Sequence, residues 1–462
     1  MTQSGPQTAA DWRDRARLLR AEQRMVEADA AIAHARDLAP TDPLIAFLHA
    51  QSRYELGYAA ADLFGQVTRL WPDNLDAVRN RALAEASEGR MGAAVDGLMT
   101  ALARSPQWLE GHRVLAALRW ISGDVAGFDG SYALAARAHP AAQGLWLGWF
   151  SAVAQHRDWP RARAVLDEAA GHLGSTKGLT AARLFMASES GDAEETAHLL
   201  AATAGWDDDF LRIARIRQAL RAKDPAAALA IALPMTTGPM AGQAWPYVST
   251  CWRLLGDDRA GWLDGGSSFA RAMDVGMDAG ELAELADLLR SLHIAQLPYA
   301  EQSVRGGTQT DRSVLLRHEP ILQRTRSALM AAVRDYVDAL PPQDPAHPLL
   351  SRPRDALRIS GSWSVRLSRG GFNVTHSHPM GWISSAFYVA VPDSQTLGVA
   401  PAGHFHLGAP PAELGLDLAP YATIAPQAGR LVLFPSTLWH GTVPTAGGER
   451  LNIAFDVVPA TM

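Results

Sequence analysis

The sequence predicts a multidomain α plus β chain: a stack of paired α-helices, then an antiparallel double-sheet or jelly-roll barrel with one supporting helix. Three observations carry this. Turns recur every 32 to 34 residues through the first part, helix-stopping prolines recur at the same interval, and the composition changes near residue 296 to short aromatic and β-branched runs broken by Gly and Pro.

Residues 1–295 place apolar residues at helical spacing and hold almost no β-branched runs. The inner turns fall at Gly57, Gly89, Gly123, around Arg157, at Gly191, around Asp224 and at Gly256. Pro40, Pro72, Pro106 and Pro140 mark the exits, because proline has no N–H and cannot continue a helix. Ala60 and Ala94 follow the turns and let paired helices approach. A unit of about 34 residues with these features resembles the tetratricopeptide repeat. The resemblance covers roughly residues 10 to 270, in seven or eight units, and the later units lack the exit proline. It implies a concave surface that takes a peptide or protein. The eight histidines before residue 296 show no ligand spacing and read as solvated helix residues.

From 296 onward the expected domain runs to 462. "QSVRGGTQT", residues 302–310, reads as a polar Gly-Gly connector. In the helix that follows, Ile321, Leu322, Leu329, Val333, Tyr336, Val337 and Leu340 trace one face before Pro341 and Pro342 stop it. "ALRISGSWSVRLS", "WISSAFYVAV", "GHFHLG", "GRLVLFPS" and "LNIAFDVV" read as strands of a barrel whose mouth can hold a small ligand or metal.

Composition narrows the function classes. The net charge of −6 supplies no basic field for a phosphate backbone, which argues against nucleic acid. The single cysteine, Cys251, cannot form an internal disulfide, and a reducing compartment suits it. The N-terminal twenty residues have no apolar core and no run of about 18 apolar residues occurs, so the expectation is a cytoplasmic chain with no membrane partner. Homo-oligomerisation stays open.

The chemistry concentrates in "HSHPMGWISS". On a strand His376 and His378 share a face, and His440, arriving from a later segment, would close a metal site on imidazole nitrogens. Imidazole suits Fe, Zn, Cu and Ni alike. Arg450 follows His440 by ten residues, and its planar fork matches a carboxylate. Asn452 shares its face by alternation, Tyr388 can donate to a bound carboxylate, and Ser384 or Ser385 can line the pocket. For Tyr388 and the serines, core packing with a satisfied hydroxyl is the competing reading. His404 and His406 form a second pair, with a setting closer to a strand edge or rim. Arg366 faces the pocket or pairs at the surface, and Trp382 and Trp439 fill core or wall the metal.

A paired-ligand segment, a distant His and an Arg ten residues later resemble the double-stranded β-helix oxygenases that use Fe(II) and 2-oxoglutarate. The likeness spans about residues 296–459 and is closest to the bacterial branch in which such a barrel follows tetratricopeptide repeats. It implies Fe(II) held by His376, His378 and His440, 2-oxoglutarate and O2 as cosubstrates, Arg450 on the distal carboxylate, and hydroxylation of a protein or peptide side chain. The chain departs from the family at His378, where Asp or Glu is usual. Three outcomes stay open: a three-histidine centre; two histidines with water third; or a register in which His378 is the first ligand. The vacancy left by the carboxylate also admits halide and halogenation. Oxidation of a small metabolite, a noncatalytic scaffold with a degenerate barrel, and a zinc hydrolase are the rival functions.

Overall fold

The computed structural model describes residues 7–265, 268–300 and 302–460. Its fold is the expected one, helix pairs of tetratricopeptide type followed by a double-stranded β-helix barrel. The repeat period has a backbone cause. Positive φ recurs at Gln23, Gly57, Gly89, Gly123, Arg157, Gly191, Lys223 and Gly256, one residue per inner turn. Glycine adopts this left-handed conformation without steric penalty, which is why five of the eight turns carry it. The exit prolines sit two residues beyond the helices ending at Leu38, Leu70, Arg104 and Ala138. Ala60 and Ala94 are buried, as close helix packing requires.

The chain forms two compact units. The first comprises residues 1–152, 294–299 and 311–326. Its helices run from Ala9–Ala21 to Gly130–Ala138 around Ala- and Leu-rich clusters such as Ala82, Ala94, Leu98, Leu115 and Leu118. Two of its histidines are not solvated. His49 is buried, and His112 is held between Ser131 Oγ (3.0 Å) and the Pro106 carbonyl (2.9 Å), because a neutral imidazole with both nitrogens engaged packs as a core residue.

The second unit comprises residues 153–293, 300–310 and 327–462, so the later repeats cluster with the barrel. Among the described residues nine strands build its barrel: β1 Arg271–Asp274, β2 Val304–Gln309, β3 Leu357–Asn373, β4 Ile383–Ala390, β5 Phe405–Leu407, β6 Ala422–Ile424, β7 Arg430–Pro435, β8 His440–Thr442 and β9 Arg450–Pro459. The larger sheet has the order β1-β7-β4-β9-β3-β2 and the smaller β6-β5-β8, with antiparallel pairing throughout. Ala386, Tyr388, Val432 and Phe434 from the first meet Phe405 and Leu407 from the second in a buried core.

Two strands depart from the sequence reading. β1 precedes residue 295 yet joins the barrel sheet beside β7. The segment read as a Gly-Gly connector is β2, paired with β3 across a bulge between Arg305 and Gly307. A Cβ at Gly307 would lie 2.3 Å from the Arg366 carbonyl, so only glycine lets the two backbones approach here. The expected supporting helix spans Pro320–Asp338; the seven apolar positions expected on its face are all buried, with Leu340 falling just past its end.

Repeat helices pack on the barrel within this unit. Trp439 joins a cluster with Tyr247, Val248, Cys251 and Trp252, and its indole N–H donates to the Pro246 carbonyl and Thr250 Oγ1, both at 3.1 Å. Gly242, on the helix Ala241–Leu255, has its Cβ position 2.0 Å from the Pro379 carbonyl. A glycine contact therefore backs the turn next to His378.

Candidate metal and diacid site

His376 and His378 lie just past β3 rather than on a regular strand. His376 forms an isolated antiparallel bridge to His440, with N–H to carbonyl bonds of 2.9 Å in both directions. The His378 N–H donates to the Ser436 carbonyl at 2.9 Å, and the chain then turns at Pro379, with the Gly381 N–H returning to the His378 carbonyl at 3.0 Å. Proline supplies no N–H, so the ladder ends at this point. The backbone thus ties both segments together before any side chain is considered.

The three rings converge as expected. Their centroids are 5.0 Å (His376–His378), 4.3 Å (His376–His440) and 4.9 Å (His378–His440) apart, and one ligating nitrogen from each lies within 4.8 Å of the others. Every Nδ1 faces an acceptor: the Val374 carbonyl at 2.8 Å for His376, the Leu438 carbonyl at 3.0 Å for His440, and Asp456 Oδ1 at 2.7 Å for His378. Nδ1 therefore carries the proton in each ring, which leaves the lone pair on Nε2. Burial, reinforced by the His378 ring, pushes the His376 pKa down to about 3. Burial and the two neighbouring imidazoles push His440 well below the usual range. Neutral imidazole is the form that ligates metal, so a divalent cation fits this donor set.

A diacid fits the space beside it. Arg450 is 1% exposed, on β9, and donates to the Gly403 carbonyl (2.8 Å) and Thr442 Oγ1 (3.2 Å). Its Nε has no hydrogen-bond partner, and neither do the buried Tyr388 Oη and Asn452 Oδ1. No carboxylate among the described residues pairs with this guanidinium. Burial raises the Tyr388 phenol, which keeps its proton available for donation. Tyr388 and Asn452 are register partners across β4 and β9, and with Arg450 they line the same cavity of about 600 Å3 as the three histidines. A buried cation without a counter-ion is unfavourable alone and becomes favourable when an anion enters.

Other expected residues divide. Ser385 lines the cavity, but its hydroxyl is occupied by β9, donating to the Phe455 carbonyl (2.8 Å) and accepting from the Phe455 N–H (2.9 Å). Ser384 donates to Asp456 Oδ1 at 2.7 Å, behind His378. Arg366 pairs outside the cavity with Glu449 at 2.6 Å. Trp382 donates to the Leu349 carbonyl and Trp439 packs on repeat helices, so both fill core. His404 and His406 stand outside the cavity lining, each with an unpartnered Nδ1.

The sequence reading missed Asp456, although it lies six residues from Arg450 and so on the same strand face. It also missed Trp363, whose ring is 5.5 Å from His378. Arg157, in an inner turn, and Trp159, Phe185 and Glu189, on repeat helices, close one wall of the cavity, a role for which the sequence carries no signal.

Residues 361–456 match the family model described as "Putative 2OG-Fe(II) oxygenase". That match lies within the C-terminal barrel, which follows the tetratricopeptide-type repeats. Among solved structures, HygX from Streptomyces hygroscopicus, with nickel, 2-oxoglutarate and hygromycin B bound, is 13% identical, covering 42% of this chain and 84% of that one at a TM-score of 0.29. A Pseudomonas putida prolyl-4-hydroxylase is 18% identical over 41% of this chain and 92% of its own, at a TM-score of 0.28. Yeast Tom70 is 13% identical over 55% of each chain, at a TM-score of 0.39. No curated protein matches the chain in sequence. Among the described residues no helix is long and apolar enough to cross a membrane.

Proposed function

We propose that the protein is an Fe(II)- and 2-oxoglutarate-dependent hydroxylase acting on a protein or peptide side chain. The observation that carries this is the pairing, in one cavity, of three converging imidazoles with a buried guanidinium that has no carboxylate partner among the described residues.

His376, His378 and His440 would hold the metal through Nε2, with the Asp456 carboxylate fixing the tautomer and orientation of His378. Arg450 would take the distal carboxylate of 2-oxoglutarate, Tyr388 would donate to it, and Asn452 would supply the remaining polar contact. Bound iron with 2-oxoglutarate and O2 supplies oxidising power, the diacid being decarboxylated to succinate while a substrate C–H gains an oxygen atom. The chain's share is to keep His376 and His440 unprotonated, to neutralise and orient the diacid, and to exclude water with Phe405, Val365 and Trp363 along the cavity wall.

A peptide-borne substrate is supported by the cavity wall, part of which comes from the repeat helices Trp159–Leu173 and Lys177–Ser190 of the same unit. A substrate presented by the repeats would enter along that wall. The test is incubation of the iron-loaded full chain with 2-oxoglutarate, air and a diverse synthetic peptide library. Succinate formation with a one-oxygen mass gain on a peptide is expected; succinate without any oxidised peptide would contradict the peptide assignment.

A further inference from the structure

Three arginines and one glutamate line the cavity: Arg157, Arg305, Arg450 and Glu189. Arg450 lies at the diacid position, and Glu189 is already paired with Arg217 at 3.2 Å. Two cations remain. Arg305, on β2, spends one nitrogen on the Gln302 and Val304 carbonyls (3.0 and 2.8 Å) and has no acidic partner among the described residues. Burial first, and then the Arg157 guanidinium, disfavour its protonated form. Arg157 makes no ion pair with any described residue.

The position of Arg157 is itself informative. It occupies the inner turn of its repeat at φ 59°, where five equivalent turns carry glycine. A long side chain in this conformation is strained by about 1–2 kcal/mol. Of the other two non-glycine turns, Gln23 uses its side chain to hold Arg326, and Lys223 lies away from the cavity, so Arg157 alone of the three lines it. Exposure orders the three arginines along the cavity: Arg157 exposed, Arg305 half-buried, Arg450 buried. A chain of net charge −6 thus lines its candidate active site with two arginines that have no acidic partner among the described residues. Such an arrangement is unfavourable until an anion arrives.

We propose that Arg157 and Arg305 select the substrate by an acidic side chain, so that the protein oxidises a residue neighbouring an Asp or Glu in an acidic peptide segment. This rests on the hydroxylase reading above and adds the substrate class. Trp159, Phe185 and Trp363 would supply apolar contact for the flanking residues while the guanidinium pair takes the carboxylate.

The experiment uses the full chain loaded with Mn(II) and 2-oxoglutarate, and a peptide array in which each acidic sequence is matched by its Asn/Gln and its Lys versions. Acidic peptides should bind about tenfold or more tighter than their amide isosteres, the worth of one charge-assisted hydrogen-bond pair. That preference should shrink at 1 M salt and disappear in R157E and in R305Q. Retained 2-oxoglutarate binding in both variants would show that the fold and the diacid site are intact, separating failure of this inference from failure of the oxygenase reading. Equal binding of acidic and amide peptides, or a preference unchanged in both variants, would overturn it. So would arginine-dependent capture of free N-acetyl-aspartate or N-acetyl-glutamate with no peptide binding, since the acid would then belong to a small molecule.

Discussion

Replacing Arg450 with Leu separates the role of this residue in binding from its role in packing. In the apo protein the variant loses two hydrogen bonds, to the Gly403 carbonyl and Thr442 Oγ1; the carbonyl loses this donor, while Thr442 Oγ1 still accepts from the Asn373 N–H at 2.8 Å. That loss of about 1 kcal/mol per bond is offset by removing a buried charge with no counter-ion, so apo stability should move by no more than about 2 kcal/mol. With 2-oxoglutarate the balance differs, because the charge-assisted bonds to its carboxylate are lost outright. Taking about 3 kcal/mol for that loss, the low end for two such bonds, gives an affinity roughly 150-fold weaker. At a concentration one hundred times the wild-type dissociation constant, 2-oxoglutarate stabilises the native protein by about 2.7 kcal/mol. In the variant the same concentration yields only about 0.3 kcal/mol. Thermal melts of the Mn(II)-loaded proteins with and without 2-oxoglutarate read this directly, as a shift of roughly 3–5 °C that falls to about 0.5 °C. A variant that keeps most of the shift would refute Arg450 as the diacid anchor.

Three further outcomes are expected. Asp456→Asn removes the charge that orients His378 and should weaken metal binding about 10- to 100-fold in a chelator competition; unchanged affinity would remove Asp456 from the account. Gly242→Ala forces a Cβ against the Pro379 carbonyl, and because that contact is backbone it should lower both the melting temperature and metal affinity; an unaffected protein would show that the turn beside His378 moves freely. His293 is held between Thr308 Oγ1 (2.7 Å) and Ser364 Oγ (2.9 Å), and burial lowers its pKa to about 4. The unfolded chain then takes up this proton first, so stability is full above pH 6.5 and declines as pH falls from there to 4. The decline is on the order of 3 kcal/mol, and H293Q should flatten that part of the melting-temperature profile.

The repeats were legible because one backbone requirement, a left-handed residue per unit, writes glycine into the sequence at a fixed interval. Where Gln23 or Lys223 fills that place the signal fades, and the turn expected around Asp224 has its left-handed residue one position earlier. Asp224 instead caps the following helix through its contact with the Ala227 N–H. Long alternating strands were equally readable. β2 was not, because its paired glycines serve close approach to β3 and look from sequence like a flexible connector. The histidines and Arg450 announce themselves by residue type and spacing. Asp456 does not, since it sits inside the apolar run "LNIAFDVV"; the alternation Arg450, Asn452, Ala454, Asp456 was the available signal. The contribution of Arg157 and Trp159 to the cavity had no sequence signal, because it depends on how the later repeats fold back on the barrel.

The most direct test is an anaerobic titration of the full chain with Fe(II) and 2-oxoglutarate, followed by visible absorption. A charge-transfer band is expected that saturates at one iron per chain, requires 2-oxoglutarate, vanishes in H376A and H440A, and needs far more 2-oxoglutarate in R450L. Iron that binds without producing the band, or a band that survives loss of His376 and His440, would contradict the metal and diacid site described above.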